Sequence, residues 1–83
     1  MQERVRNLAR IRRMQQTGEA KRLRERAGVS LRTMAKAVGV RASTLIRWEA
    51  NRVRPREPTA LAWLAVLDQL RSELEQDSPT EGQ

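Results

Sequence analysis

Three glycines, Gly18, Gly28 and Gly39, cut the first half of this chain into segments of about ten residues, each with helical spacing between its apolar positions. No run alternates apolar and polar side chains with a strand period, so the chain reads as short helices joined by tight turns. From Glu19 to Ala27 the inward face is Ala20, Leu23 and Ala27. Gly28 suits the position just past a helix end, where a positive φ carries no Cβ penalty. Ser30 then offers a hydroxyl to the free amides of a helix from Leu31 to Val38, and Gly39 ends that helix in turn. A fourth helix fits Ala42 to about Ala50, closed by Asn51, the non-glycine residue most tolerant of the left-handed region.

On either side the segments are longer. Val5, Leu8 and Ile11 recur every three residues in an opening helix over residues 1–16, and Arg6, Arg10 and Arg13 share another of its faces. Beyond Pro55, a helix opened by Pro58 keeps Leu61, Leu64, Leu67, Leu70 and Leu74 in register, with Trp63 beside them. The last residues, 76–83, are small, polar and Pro/Gly-bearing, and are expected to be a disordered tail. The expected domains are therefore a basic amphipathic helix over 1–16, a folded unit over 17–75, and the tail.

Chemistry is limited by what is missing. The 83 residues include no Cys and no His, which excludes a disulfide framework, a zinc finger, a thiol nucleophile and an imidazole base. The carboxylates Glu73, Glu75, Asp77 and Glu81 crowd the C-terminal end instead of converging, and there is no glycine-rich phosphate loop. No enzymatic activity, metal, cofactor or small-molecule substrate is expected. With no Phe or Tyr, platforms for stacking single-stranded bases are also nearly excluded. No apolar run approaches the ~20 residues of a membrane span, and the expected location is the cytoplasm, on the nucleoid when DNA is bound.

Charge supplies the positive argument. Residues 1–56 hold 16 basic and 4 acidic side chains, whereas residues 57–83 hold 1 and 6, so a net charge of +7 conceals a strongly basic front. Such an asymmetry suits a polyanion. Between Leu31 and Glu49, Gly39 places two short helices so that Met34, Val38, Val40, Leu45 and Trp48 converge, with Ala35 at their closest approach. That is the arrangement of a helix-turn-helix, whose second helix is presented to a major groove. Leu61, Trp63 and Leu64 are read as further core.

The segment Glu19 to Pro55, EAKRLRERAGVSLRTMAKAVGVRASTLIRWEANRVRP, resembles the DNA-binding domain of the Cro and phage-repressor (Xre-type) helix-turn-helix family. Its marks are AGVS before the first motif helix, Ala35, Gly39 and Val40 around the turn, and TLIRWEANRVRP from Thr44 to Pro55. The resemblance implies an all-α, lambda-repressor-like bundle, here with an extra N-terminal helix and one long C-terminal helix where two shorter ones are common. It implies a partly buried ion pair between Arg24 and Glu49, and base reading from Arg41, Ala42, Ser43 and Arg47. Among these Arg47 carries most information, because a guanidinium engages guanine O6 and N7 bidentately.

Ser30 and Thr44, near helix N-termini, serve either as caps or as phosphate ligands, and Arg32, Arg52 and Arg54 either hold phosphates or are solvated. The opening helix can pack on the domain, pair with a second protomer, or lay Arg6, Arg10 and Arg13 along DNA. The final helix can expose part of its leucine stripe as a dimer surface. The function implied is a sequence-specific regulator of transcription, a phage, plasmid or bacterial repressor that reads duplex DNA with the helix 42–50 as a homodimer on a palindrome. The alternative is an antitoxin-like adaptor that reuses the fold to bind protein.

Overall fold

The computed structural model describes residues 2–76. It contains five helices in the order α1 (Gln2–Thr17), α2 (Glu19–Arg26), α3 (Leu31–Val38), α4 (Ala42–Glu49) and α5 (Glu57–Gln76). The fold is all-α, as expected, and the boundaries differ from the sequence reading by a residue or so. Helix α5 begins at Glu57, which puts Pro58 in the second helical position, where an amide still has no intrahelical partner. It ends at Gln76, so the expected tail begins no earlier than residue 77, and the rest of that expectation lies outside the described residues.

The turns follow the glycine logic. Gly39 takes φ 94° at the end of α3, and the amides of Gly39 and Val40 both donate to the Ala35 carbonyl. At the end of α4 the same job falls to Asn51, at φ 58°. There Asn51 N–H donates to Trp48 O and Arg52 N–H to Arg47 O, the paired bonds of a Schellman motif. The chain reverses within two residues, so residues 52–54 come to lie beside the end of α4.

All five helices contribute to a single core. Met34, Leu45, Trp63 and Leu67 are fully buried, with Ile11 and Met14 of α1, Ala20 and Leu23 of α2, and Trp48 of α4 packed round them. The rings of Trp48 and Trp63 lie 5.0 Å apart at a 39° tilt, joining α4 to α5. The Trp63 indole N–H is buried with no acceptor among the described residues, a cost of ~1–3 kcal/mol. Burying an aromatic ring of ~150–250 Å² at ~25 cal/mol/Å² contributes ~4–6 kcal/mol, so packing wins at that position.

Helix α1 is part of this core rather than an appendage. Of its expected apolar face, Ile11 is buried and Leu8 packs against the core, but Val5 is 63% exposed. Val5 lies a turn beyond the last core layer, and the buried face continues instead through Met14 and Gln15. The division at residue 16 therefore does not separate two structural units. The leucine stripe of α5 is likewise spoken for: Leu64 and Leu67 are buried, while Leu61, Leu70 and Leu74 are half-buried. No large apolar side chain of α5 is fully exposed among the described residues, and Leu70 and Leu74 pack against the core.

Candidate nucleic-acid interface

Helix α4 is pinned from two sides, which leaves one face outward. The inward side chains are Leu45 and Trp48. On its flank, Glu49 receives two bonds from Arg24, from Nε at 2.7 Å and Nη2 at 3.0 Å, while Arg24 Nη1 donates to the Val29 carbonyl at 2.8 Å. Both side chains are almost wholly desolvated, at 8% and 5% exposure. The hydrogen bond to Glu49 raises the guanidinium above its ordinary range, against the lowering effect of burial. Arg24 thus stays charged and ties α2, the α2–α3 turn and α4 into one frame.

The second pin was not foreseen from the sequence. Gln15 of α1 is 5% exposed, and its side-chain amide donates to Trp48 O at 3.0 Å and to Val53 O at 2.8 Å. One primary amide thereby holds both the last turn of α4 and the chain that doubles back after it. A polar residue at a core-facing position, one after Met14 and four after Ile11, was the available signal.

The outward face then carries Ser43, Ile46 and Arg47, with Arg41 at the helix start and Ala42 half-buried beside it. Arg47 Nε makes only a loose 3.5 Å contact to Ser43 O. Arg41 occupies the N-cap position in extended conformation with no side-chain bond to the helix, so the first amides of α4 are not covered by a side chain. Ile46 is 50% exposed between these polar groups and was missed by the sequence reading. Its spacing of three from Ser43 and one from Arg47 was enough to place it on this face. An apolar group there is chemically suited to the C5-methyl of thymine.

The proposed phosphate ligands divide. Arg32, Arg52 and Arg54 are exposed and form no ion pair among the described residues. Ser30 is a cap: its oxygen accepts from Thr33 N–H at 3.1 Å and its hydroxyl donates to Thr33 Oγ1 at 3.0 Å. Binding phosphate would break that second bond. Thr44 is half-buried and caps nothing, since the N-cap of α4 is Arg41.

The expected stripe on α1 does not hold together as a free surface. Arg10 turns onto α5 and donates twice to Asp68, at 2.8 and 3.3 Å, and that bond raises its pKa. Arg6 and Arg13 remain, beside a hollow that also contains Glu19 and Arg71, themselves paired at 2.7 Å. Arg10 is therefore held against α5.

A helix-turn-helix family model matches residues 21–74, from the third residue of α2 almost to the end of α5. The chain belongs to the Cro/C1-type helix-turn-helix family. That family is one of DNA-binding domains, so membership implies double-stranded DNA as partner and regulation of transcription as the general role. No curated protein and no solved structure matches the chain. Among the described residues no helix is long and apolar enough to cross a membrane. Helix α1 lies outside the matched region and is what this helix-turn-helix protein adds to its family's core.

Proposed function

We propose that this chain is a sequence-specific reader of duplex DNA that represses transcription by occupying an operator, with α4 in the major groove. One observation carries the reading: the outward face of α4 presents Arg41, Ser43, Ile46 and Arg47 without a carboxylate partner among the described residues, on a helix held by Arg24 and Gln15. Arg47 and Arg41 reach guanine, Ser43 bonds to a base edge, and Ala42 and Ile46 contact thymine methyls. Arg32, Arg52 and Arg54 neutralise phosphates at the flanks and supply fast, sequence-independent association.

Two protomers reading a palindrome place their half-site centres ~34 Å apart. Among the described residues the large exposed apolar side chains, Val5, Ile46 and Val53, lie on three different elements. Pairing is accordingly assigned to the DNA-bound state, driven by two adjacent half-sites, and not to a preformed apolar face. The same scatter gives the protein adaptor little to work with. The protein acts in the cytoplasm, where its operator is.

Selection of bound duplexes from a random pool, followed by Arg47→Ala, tests the reading. Wild type enriches a motif, and Arg47→Ala keeps general DNA affinity but loses ~1–3 kcal/mol of discrimination at one base pair. A pool that yields no motif, or a variant whose preference is unchanged, refutes it. The mass of the complex on the selected site gives one or two protomers and decides the stoichiometry.

A further inference from the structure

Gln15 is buried, but its helical neighbours on the solvent side are not. Arg12 and Gln16 are both exposed, four residues apart on one edge of α1. Because Gln15 draws the chain after α4 against α1, that edge meets the reversed segment Asn51–Arg54. Between them is a hollow of about 190 Å³ lined by Arg12, Gln16, Asn51, Arg52 and Arg54, together with Gln15 and Val53. That is about six times the ~30 Å³ a water occupies in the liquid. Three arginines line the space and, among the described residues, no carboxylate does. Glu57 lines the adjoining hollow with Arg12 and Arg54 and is already bound by Arg4.

We propose that this hollow is a phosphate-binding site for the DNA backbone, in which Arg12 and Gln16 of α1 join Arg52 and Arg54 to extend the footprint beyond the helix-turn-helix core. This rests on α4 being the groove helix. Its eight residues span ~12 Å, about the width of a major groove. Residues just past its C-terminus therefore stand against a phosphate wall, and the hollow opens there. Three arginines brought together by a buried amide, none of them in an ion pair among the described residues, are matched by a phosphodiester. The other arginines of α1 do not share this environment: Arg4 and Arg10 are bound to Glu57 and Asp68, and Arg6 and Arg13 line the hollow that contains Glu19.

The test is binding of the full chain to a 20-base-pair duplex of random sequence and to the selected operator, by fluorescence anisotropy from 50 to 200 mM salt. Arg12→Ala reduces the slope of log affinity against log salt by ~0.9, and lowers affinity roughly eightfold at 0.1 M salt, equally on both duplexes. Gln16→Ala weakens binding to both duplexes with the slope unchanged, and Arg12→Lys restores the slope. Arg13→Ala, one residue along, leaves slope and affinity as in wild type. Unchanged binding in Arg12→Ala, or an equal loss in Arg13→Ala, overturns the site. If that happens while Arg47→Ala still alters base preference, the site alone has failed. Failure of wild type to bind duplex DNA overturns the reading beneath it.

Discussion

Gln15 offers the most direct test of how α1 serves the fold. Substitution by Ala removes two hydrogen bonds, at 3.0 and 2.8 Å, each worth ~0.5–1.5 kcal/mol net. The acceptors fare differently. Trp48 O keeps a partner in Asn51 N–H at 2.9 Å, whereas Val53 belongs to an exposed residue and its carbonyl can turn to water. Neither is stranded, so the loss stays near the sum of the two bonds, ~2 kcal/mol. For a domain of this size each kcal/mol moves Tm by ~4–8 °C, which gives a fall of ~8–16 °C. Far-ultraviolet circular dichroism through thermal and urea denaturation measures it, with tryptophan fluorescence reporting on the Trp48–Trp63 pair. The adjacent exposed residue is the control, since Gln16→Ala stays within ~0.5 kcal/mol of wild type. If Gln15→Ala also stays within ~0.5 kcal/mol, the amide does not latch α1 to α4. The integral placement of α1 is then wrong, and with it the geometry of the basic hollow.

Two further perturbations act on the same frame. Glu49→Gln leaves Arg24 buried without its counter-charge and costs ~3–5 kcal/mol, whereas replacing both partners with apolar residues of similar size is neutral or stabilising; urea melts of wild type and the two variants decide it, and a single-variant cost below ~1 kcal/mol contradicts the desolvated pair. The raised pKa of Arg24 means that its contribution is complete below the ordinary guanidinium range and is lost only as pH rises through a still higher value, so stability at pH 9 equals that at pH 7 as far as this residue is concerned. Gly39→Ala meets no atom within 4 Å of the new Cβ, so its cost is the left-handed backbone alone, ~1–2 kcal/mol by thermal melting; a larger loss points to a clash the structure does not contain.

The elements were legible because their stops are local. Gly39 and Asn51 set helix ends through backbone preference, and Ser30 caps α3 by a bond to a residue three positions away, so each signal lies within a few residues of its effect. Arg24 and Glu49, by contrast, were paired through resemblance, since a separation of 25 residues is invisible to periodicity. Gln15 and Arg10 fail for the same reason in reverse. Their partners lie 33 and 58 residues away, and their environment depends on how α1 packs, which a helical repeat does not encode. Val5 shows the limit of the repeat itself: it keeps the spacing of Leu8 and Ile11 but extends past the core they enter.

These placements turn a compositional excess of base into a directed one. Between residues 27 and 56 the chain has seven basic side chains and one acid, Glu49. That acid is turned inward and neutralised by Arg24, while Glu19, Glu57 and Asp68 are occupied by Arg71, Arg4 and Arg10. The carboxylates so bound lie on α2, α4 and α5, and none opens onto the outward face of α4. Folding therefore sorts charge without needing net charge to be extreme: the Arg24–Glu49 pair is buried, the other three pairs join helices at the surface, and Arg41, Arg47, Arg52 and Arg54 are left exposed with no ion pair among the described residues. Exposed pairs such as Arg10–Asp68, with side chains 39% and 43% exposed, contribute ~1 kcal/mol or less to stability. Their other effect is to neutralise Arg4, Arg10 and Arg71, so that which guanidinium groups stay unpaired is set by the fold and not by composition.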